Sequence, residues 1–274
     1  MDKVKKTFLY VALSIWAIIQ VFPLYYLITF SLKSNGEILG ENILGLPIKW
    51  LWSNYRKVLN ESNLLRYLGN SVFVTVITIL CVIIISLMAA YALYRMKWRF
   101  QGFFIMFFML GLTVPIHSSV LPVFVILKKI RLLDTYWALI LPYIAFSLSM
   151  AILMCSGFLK GVPVELEEAA CMDGCGVYKI FWRIIVPIMK PAFTTVAIFT
   201  YLSSWNELMF STIFINSDKF RTLPVGIQML SSSLITDWGV VGAALVLSLI
   251  PTMILYICLS QKVQEGMVMG AVKG

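Results

Sequence analysis

The sequence predicts an all-α integral membrane protein with six spanning helices, and three observations carry that expectation. Hydrophobic residues make up 60% of the 274-residue chain and charged residues only 13%, where a soluble domain carries roughly 25% charged residues. Long stretches hold no charge at all, namely 7–32, 67–94, 100–127, 135–159 and 238–261. Runs such as Ile77 to Ala90 are apolar nearly throughout, whereas a barrel strand would alternate apolar and polar residues.

Each charge-free run exceeds the roughly 20 residues that cross about 30 Å of hydrocarbon at 1.5 Å per residue. A sixth span begins at Pro191 and continues past Glu207 to about Ile215. The spans are therefore expected at about 8–32, 70–94, 102–127, 135–158, 191–215 and 239–261 of a single transmembrane domain covering 1–274. The first of them follows Lys3, Lys5 and Lys6 but is longer than a signal-peptide core of roughly 7–15 residues. No small-x-small cleavage site follows it, so it is expected to remain as a helix.

The net charge of +9 does not point to nucleic acid. The basic residues sit in short loops at span ends, where they meet lipid headgroups, and no basic run interleaved with aromatics forms a nucleic-acid face. The clusters Lys3–Lys6 and Arg95–Arg99 favour a cytoplasmic N-terminus, while Lys128, Lys129 and Arg131 argue the other way. An even number of spans then places both termini in the cytoplasm.

The chain has no means of its own to do chemistry. With a single histidine, His117, no Ser/His/Asp constellation is expected, and Cys171 and Cys175 lack the further ligands of a metal site. No G-x-x-x-x-G-K-[ST] run is present to cradle phosphates. No cofactor, metal or enzymatic activity is expected of this chain, and energy for work on a substrate must come from another component or from an ion.

The most informative segment lies between the fourth and fifth spans, at about 160–190. Pro163 suits a helix start, and Glu165, Glu167 and Glu168 favour the positive end of its dipole. Gly174 is placed to end the helix with a positive φ and a sharp reversal. A second helix follows, with Tyr178, Phe181, Trp182 and Ile185 expected on one face and Lys179 and Arg183 on the other. Pro187 and Pro191 flank the start of the fifth span.

The pattern Glu168-Ala169-Ala170, Asp173-Gly174 and Ile184 to Pro187 resembles the EAA motif of bacterial ABC-importer permeases. Ser204-Trp205-Asn206-Glu207, Arg221-Thr222-Leu223-Pro224 and the ending Glu265–Gly274 extend the likeness to the carbohydrate-uptake branch. The chain is most similar to the second, six-helix permease of maltose-type oligosaccharide importers, departing from the usual pattern at Cys175 and Val186. The resemblance implies a type I importer architecture in a bacterial cell membrane. It also implies a second homologous permease, two ATPase subunits that hold ATP and Mg, and an extracytoplasmic sugar-binding protein. Glu165, Glu168, Ala169, Ala170, Asp173, Gly174 and Pro187 would then couple this chain to an ATPase, with the alanines small enough to lie deep against it.

Trp205, Asn206 and Glu207 combine an apolar ring face with hydrogen-bonding groups, as a sugar route needs. Glu207 is equally readable as an acid that snorkels to water. Pro115, His117, Ser118, Ser119 and Pro122 mark a broken stretch of the third span. Its polar groups either line a route or satisfy backbone freed by the break. An ion-coupled secondary transporter is the alternative class, but it would place several ionisable groups at mid-membrane and often shows two similar halves. Only Glu207 and His117 lie within spans here, and no repeat is visible.

Overall fold

The computed structural model describes residues 3–40, 42–232 and 236–271, with side chains described within 5–258. All regular structure among them is helical. The ending Glu265–Gly274 lies beyond the described side chains, and residues 272–274 lie outside the described residues.

Four helices are long and apolar enough to cross a membrane unaided. They are α1 (Lys3–Ser31), α4 (Leu64–Tyr94), α7 (Trp137–Lys160) and α14 (Trp238–Ala271), at the positions of the expected spans one, two, four and six. The short helices α2 (Asn35–Ile38) and α3 (Ser53–Glu61) lie between α1 and α4.

The expected span at 102–127 is not one helix. It consists of α5 (Gln101–Gly111), a 3-10 turn at His117–Ser119 and α6 (Val120–Lys129). Pro115 is the cause, since it donates no N–H and disfavours helical backbone in the residue before it. Thr113 Oγ1 donates to the Leu110 carbonyl at 2.8 Å, and Ser119 Oγ to the Pro115 carbonyl at 3.2 Å. Pro122 causes no second break, because it falls in the first turn of α6, where N–H groups have no partner within the helix.

The expected span at 191–215 also divides, into α11 (Lys190–Trp205) and α12 (Met209–Phe214). Upstream, α9 (Val177–Ile180), a π turn (Phe181–Ile185) and α10 (Val186–Ile188) form one continuous stretch. It meets α11 at a 72° bend, with Met189 at the corner between Pro187 and Pro191. This bent pair is a fifth candidate span. The remaining helices are α8 (Glu165–Met172) and α13 (Leu223–Ser231).

The chain forms two compact units, one made of residues up to Leu68 with Val225–Met253, the other of Gly69–Pro224 with the residues from Ile254 onward. In the first unit α14 approaches the end of α1 through small residues. A Cβ on Gly242 would stand 2.6 Å from the Phe30 ring, and one on Gly239 would stand 2.3 Å from the Lys33 carbonyl. Such small residues let helix backbones approach closely. Asn54 Nδ2 donates to the carbonyls of Ser31 and Lys33, and Lys57 pairs with Asp237 at 2.9 Å.

The second unit has two apolar clusters. One holds Val74, Val120, Leu139, Tyr143, Phe210 and Phe214. The other joins Val82, Leu87 and Tyr91 of α4 and Cys155 and Leu159 of α7 to Ala170, Phe181 and Ile185. The loop between α7 and α11 is therefore packed into the same core as the long helices.

Candidate functional site

The segment from Gly161 to Met189 is compact because both ends of α8 are fixed. At its first turn the N–H groups of Glu167 and Glu168 donate to the Val164 carbonyl at 2.9 and 3.1 Å. At its far end the Gly174 N–H donates to the Cys171 carbonyl and the Cys175 N–H to the Ala170 carbonyl, both at 2.9 Å. That pair of bonds is a Schellman turn, which needs a left-handed residue at its centre. Gly174 supplies it with φ +77°, and a Cβ there would meet no atom within 4 Å. The demand for glycine is thus one of backbone conformation, not of space.

The three glutamates of α8 part company. Glu165 and Glu168 are exposed. Glu167 points inward, where its Oε1 stands 3.1 Å from Arg95 Nε and its Oε2 accepts from the Tyr91 hydroxyl at 2.9 Å. The Arg95 guanidinium also donates through Nη2 to the Leu159 carbonyl at 2.9 Å and to the Val162 carbonyl. Sequence reasoning did not assign Glu167 or Arg95 to the site, because 72 residues separate them.

Two expectations about this loop need correcting. Ala169 is exposed, but Ala170 is 7% exposed and faces the core beside Phe181 and Ile185. Its small side chain lets α8 lie close to this chain's own helices. The four large residues expected on one face also divide. Phe181 and Ile185 are buried with Ile180, while Tyr178 is 84% and Trp182 54% exposed. The cause is the π turn at Phe181–Ile185, whose wider winding breaks the α-helical phase. Asp173 and Pro187 are exposed. The accessible side of the loop thus carries Glu165, Glu168, Ala169, Asp173, Met172 and Tyr178.

The second candidate region is a cavity of about 220 Å³ between α7 and α11. Its polar wall includes Tyr143, Ser147, Thr200, Ser203, Ser204 and Glu207, with Phe146, Met150 and Phe199 on the apolar side. Ser204 Oγ is buried and has no hydrogen-bond partner among the described residues. Glu207 is firmly held, because Oε1 accepts from the Phe210 N–H at 2.8 Å and Oε2 from the Tyr143 hydroxyl at 2.7 Å and the Ser211 N–H at 3.3 Å. It caps α12, and this cap accompanies the break in the fifth span.

The other route candidates lie apart from this wall. Trp205 is 6% exposed and stacks on Tyr201 at 5.3 Å between ring centroids, so it presents no open ring face to a sugar. Asn206 is exposed and donates to the Leu202 carbonyl at 3.0 Å. His117 and Ser118 are exposed on the 3-10 turn, and Ile116 just before them reaches the cavity. The Arg221–Pro224 motif is structural in this unit. Asn70 Nδ2 donates to the Arg221 carbonyl, Thr222 bonds Ser211, and the Leu223 N–H donates to Ser71.

Comparison with known proteins fits this arrangement. Residues 82–267 match the family described as binding-protein-dependent transport system inner membrane component. The chain is 31% identical to the sulfoquinovosyl glycerol transport system permease protein of Agrobacterium fabrum, over 97% of this chain and 93% of that one. It is also 31% identical to the arabinooligosaccharides transport system permease protein of Halalkalibacterium halodurans, over 94% and 93% of the two chains. A diacetylchitobiose uptake system permease protein of Streptomyces coelicolor is 31% identical over 93% and 92%. In fold, the chain matches one from the crystal structure of a bacterial ABC transporter involved in the import of the acidic polysaccharide alginate. The TM-score is 0.84 at 22% identity, with 95% of this chain and 98% of that one covered. With a family match across most of its length and relatives above 30% identity nearly end to end, the chain belongs to the inner membrane components of binding-protein-dependent transport systems, the permeases of ABC transporters.

Proposed function

We propose that this chain is one of two related permeases in an ATP-driven importer of a sugar, with α8 seated on an ATPase subunit. A chain without a phosphate-binding loop must receive force by contact. The observation that supports α8 in that role is its construction, a short helix closed by the Gly174 turn with Glu165, Glu168, Ala169 and Met172 outward. Met172 is 90% exposed, an apolar group beside acids, suited to a groove with an apolar floor and a basic rim. In this reading α8 and both termini are cytoplasmic, and a binding protein delivers sugar to the opposite face. ATP and Mg are held by two ATPase subunits, whose closure would draw the two permeases' helices together and turn the cavity outward.

The sugar class rests on the relatives named above, which serve a sulfoquinovosyl glycerol, an arabinooligosaccharide and a diacetylchitobiose system at the same identity. That equality favours a glycoside without choosing one, and an oligosaccharide fits two of the three names. The route proposed through this chain follows Ser147, Ser203, Ser204 and Glu207, whose polar groups share the cavity with apolar side chains, while Asn206, His117 and Ser118 are exposed outside its lining.

The test is the pair Gly174→Val and Glu168→Lys in the assembled transporter. Both variants are expected to reach the membrane and to lose sugar uptake together with binding-protein-stimulated ATP hydrolysis. Glu168→Lys should also weaken retention of the ATPase on purification. Full retention with normal uptake in both would overturn the assignment of α8.

A further inference from the structure

The inward side of α8 carries a second arrangement, which the docking surface does not require. Arg95 follows the last residue of α4, and its guanidinium reaches three groups from two other elements. These are the Leu159 carbonyl at the end of α7, the Val162 carbonyl in the connection to α8, and the Glu167 carboxylate on α8 itself. Tyr91, one turn earlier on α4, donates to the same carboxylate at 2.9 Å. The side chains of Arg95 and Glu167 are only 12% and 14% exposed, so water screens the pair weakly.

We propose that Arg95, Glu167 and Tyr91 form the link that carries movement of α8 into the membrane helices α4 and α7. The proposal rests on the reading of α8 as the ATPase-coupling helix and adds a positioning role to residues that do not face the ATPase. The physical case begins with the connection. Residues 161–164 join α7 to α8 without regular helix, and a joint of that kind can absorb a displacement by bending. Arg95 spans it, holding the carbonyls of Leu159 and Val162 on one side and Glu167 on the other. Its planar guanidinium bonds both carbonyls through Nη2 while its Nε edge faces Glu167 as an ion pair, an arrangement a lysine ammonium cannot reproduce. Phe181 packs against Tyr91 with ring centroids 5.3 Å apart, so the helix after Gly174 bears on the same point of α4. A displacement of α8 therefore reaches α4 through a charged contact and an aromatic one, and reaches α7 through its terminal carbonyls.

The chemistry sets the order of effects. Glu167→Gln keeps the shape and an acceptor for Tyr91 but removes the charge facing Arg95. Arg95→Lys keeps the charge but loses the planar guanidinium. Tyr91→Phe removes one hydroxyl alone and is the variant least able to disturb folding. Glu168, the next residue on α8, is exposed and serves as the control for docking.

The experiment uses the complete transporter, with its ATPase and binding protein, in proteoliposomes. Sugar taken up per ATP hydrolysed and retention of the ATPase are measured side by side. Glu167→Gln should keep the ATPase bound yet lower uptake per ATP by roughly tenfold, the scale set by removing one charge of a poorly screened pair, and Arg95→Lys, which keeps the charge, should lower it by a smaller factor with the ATPase still bound. Tyr91→Phe should lower it by about twofold to threefold, as for one hydrogen bond. The double variant Glu167→Gln with Arg95→Lys should lose no more than the worse single variant, because both break one link. Unchanged uptake per ATP in Glu167→Gln and Tyr91→Phe, or full additivity in the double variant, would overturn the link. Loss of ATPase retention in Glu167→Gln would equally count against it, since that marks a docking role. If Glu168→Lys and Gly174→Val transport normally, the coupling reading itself fails, an outcome separate from these.

Discussion

The hydroxyl of Tyr143 on α7 lies 2.7 Å from Oε2 of Glu207, and this bond ties the fourth span to the break in the fifth. The same carboxylate takes the N–H groups of Phe210 and Ser211, donors at the start of α12 that have no partner within that helix. Tyr143→Phe withdraws one donor from a carboxylate in an apolar setting and should destabilise by about 1–3 kcal/mol. Glu207→Leu should cost more, because it also leaves the α12 donors unpaired. Thermal unfolding of the purified transporter checks both, and a melting temperature unmoved by either substitution contradicts the structural role.

Gly174 permits a graded test. Its φ of +77° disfavours any side chain, while a Cβ would meet nothing within 4 Å. The ranking of substitutions should therefore follow left-handed propensity and ignore size. Gly174→Asn should keep most sugar uptake, Gly174→Ala should lose stability by about 1–2 kcal/mol, and Gly174→Val should lose the most. An Ala variant better tolerated than Asn would show that space, not φ, governs this position.

Ser204 separates stability from transport. Its hydroxyl is buried without a partner in the cavity wall, a costly state in the absence of a ligand. Ser204→Ala should therefore leave stability equal or slightly higher. If the route passes this wall, the same substitution should raise KM for the sugar by a few fold, the scale of one lost hydrogen bond. Unchanged transport kinetics in Ser204→Ala would remove the position from the route.

The membrane class and most spans were legible because a long charge-free run has few other physical meanings. Pro115 announced the break in the third span, although not that it would leave two helices of 11 and 10 residues. The Gly174 reversal was legible since it depends on local sequence alone. What stayed hidden depends on residues far apart. Nothing near Glu207 in the sequence shows that it binds Tyr143, 64 positions away, and caps α12. Glu167 looks like its two neighbouring glutamates until Arg95 is placed against it. The inward turn of Ala170 depends on its packing with Phe181 and Ile185 across the Gly174 reversal, and the parting of Trp182 from Phe181 and Ile185 on the π turn, which no periodicity in the sequence signals.

Acid should loosen the connection between α2 and α3. The Glu37 carboxyl is held below its usual range first by the Ile48 N–H, which donates to it at 2.8 Å, and further by Asn42. A carboxyl depressed in the folded state adds stability above the ordinary pKa of about 4.3 and loses it as pH falls through the folded value. Proteolysis within residues 42–48 should therefore accelerate at acid pH with an acid-stable protease. Glu37→Gln should show fast cleavage already at neutral pH and little further change on acidification. A wild-type rate that is flat across this window would contradict the prediction.

The last prediction concerns sidedness, and here α4 gives a firm frame. Asn70 near its start donates to the carbonyls of Lys219 at 2.9 Å and Arg221 at 2.8 Å. Lys219 therefore belongs to the Asn70 end of the helix. Lys97 follows the other end, beyond Tyr94. From Asn70 to Tyr94 a helix advances about 36 Å at 1.5 Å per residue, enough to cross the hydrocarbon of a membrane, about 30 Å thick. Both lysines are exposed, so both positions can report. Lys97→Cys and Lys219→Cys in a cysteine-free background should accordingly differ in labelling by an impermeant thiol reagent in intact cells. With α8 and the termini cytoplasmic, Lys219→Cys labels and Lys97→Cys is shielded until the membrane is opened. The reverse pattern keeps the span but inverts the chain, placing α8 where no ATPase could meet it. Equal labelling of both positions would remove α4 as a spanning helix.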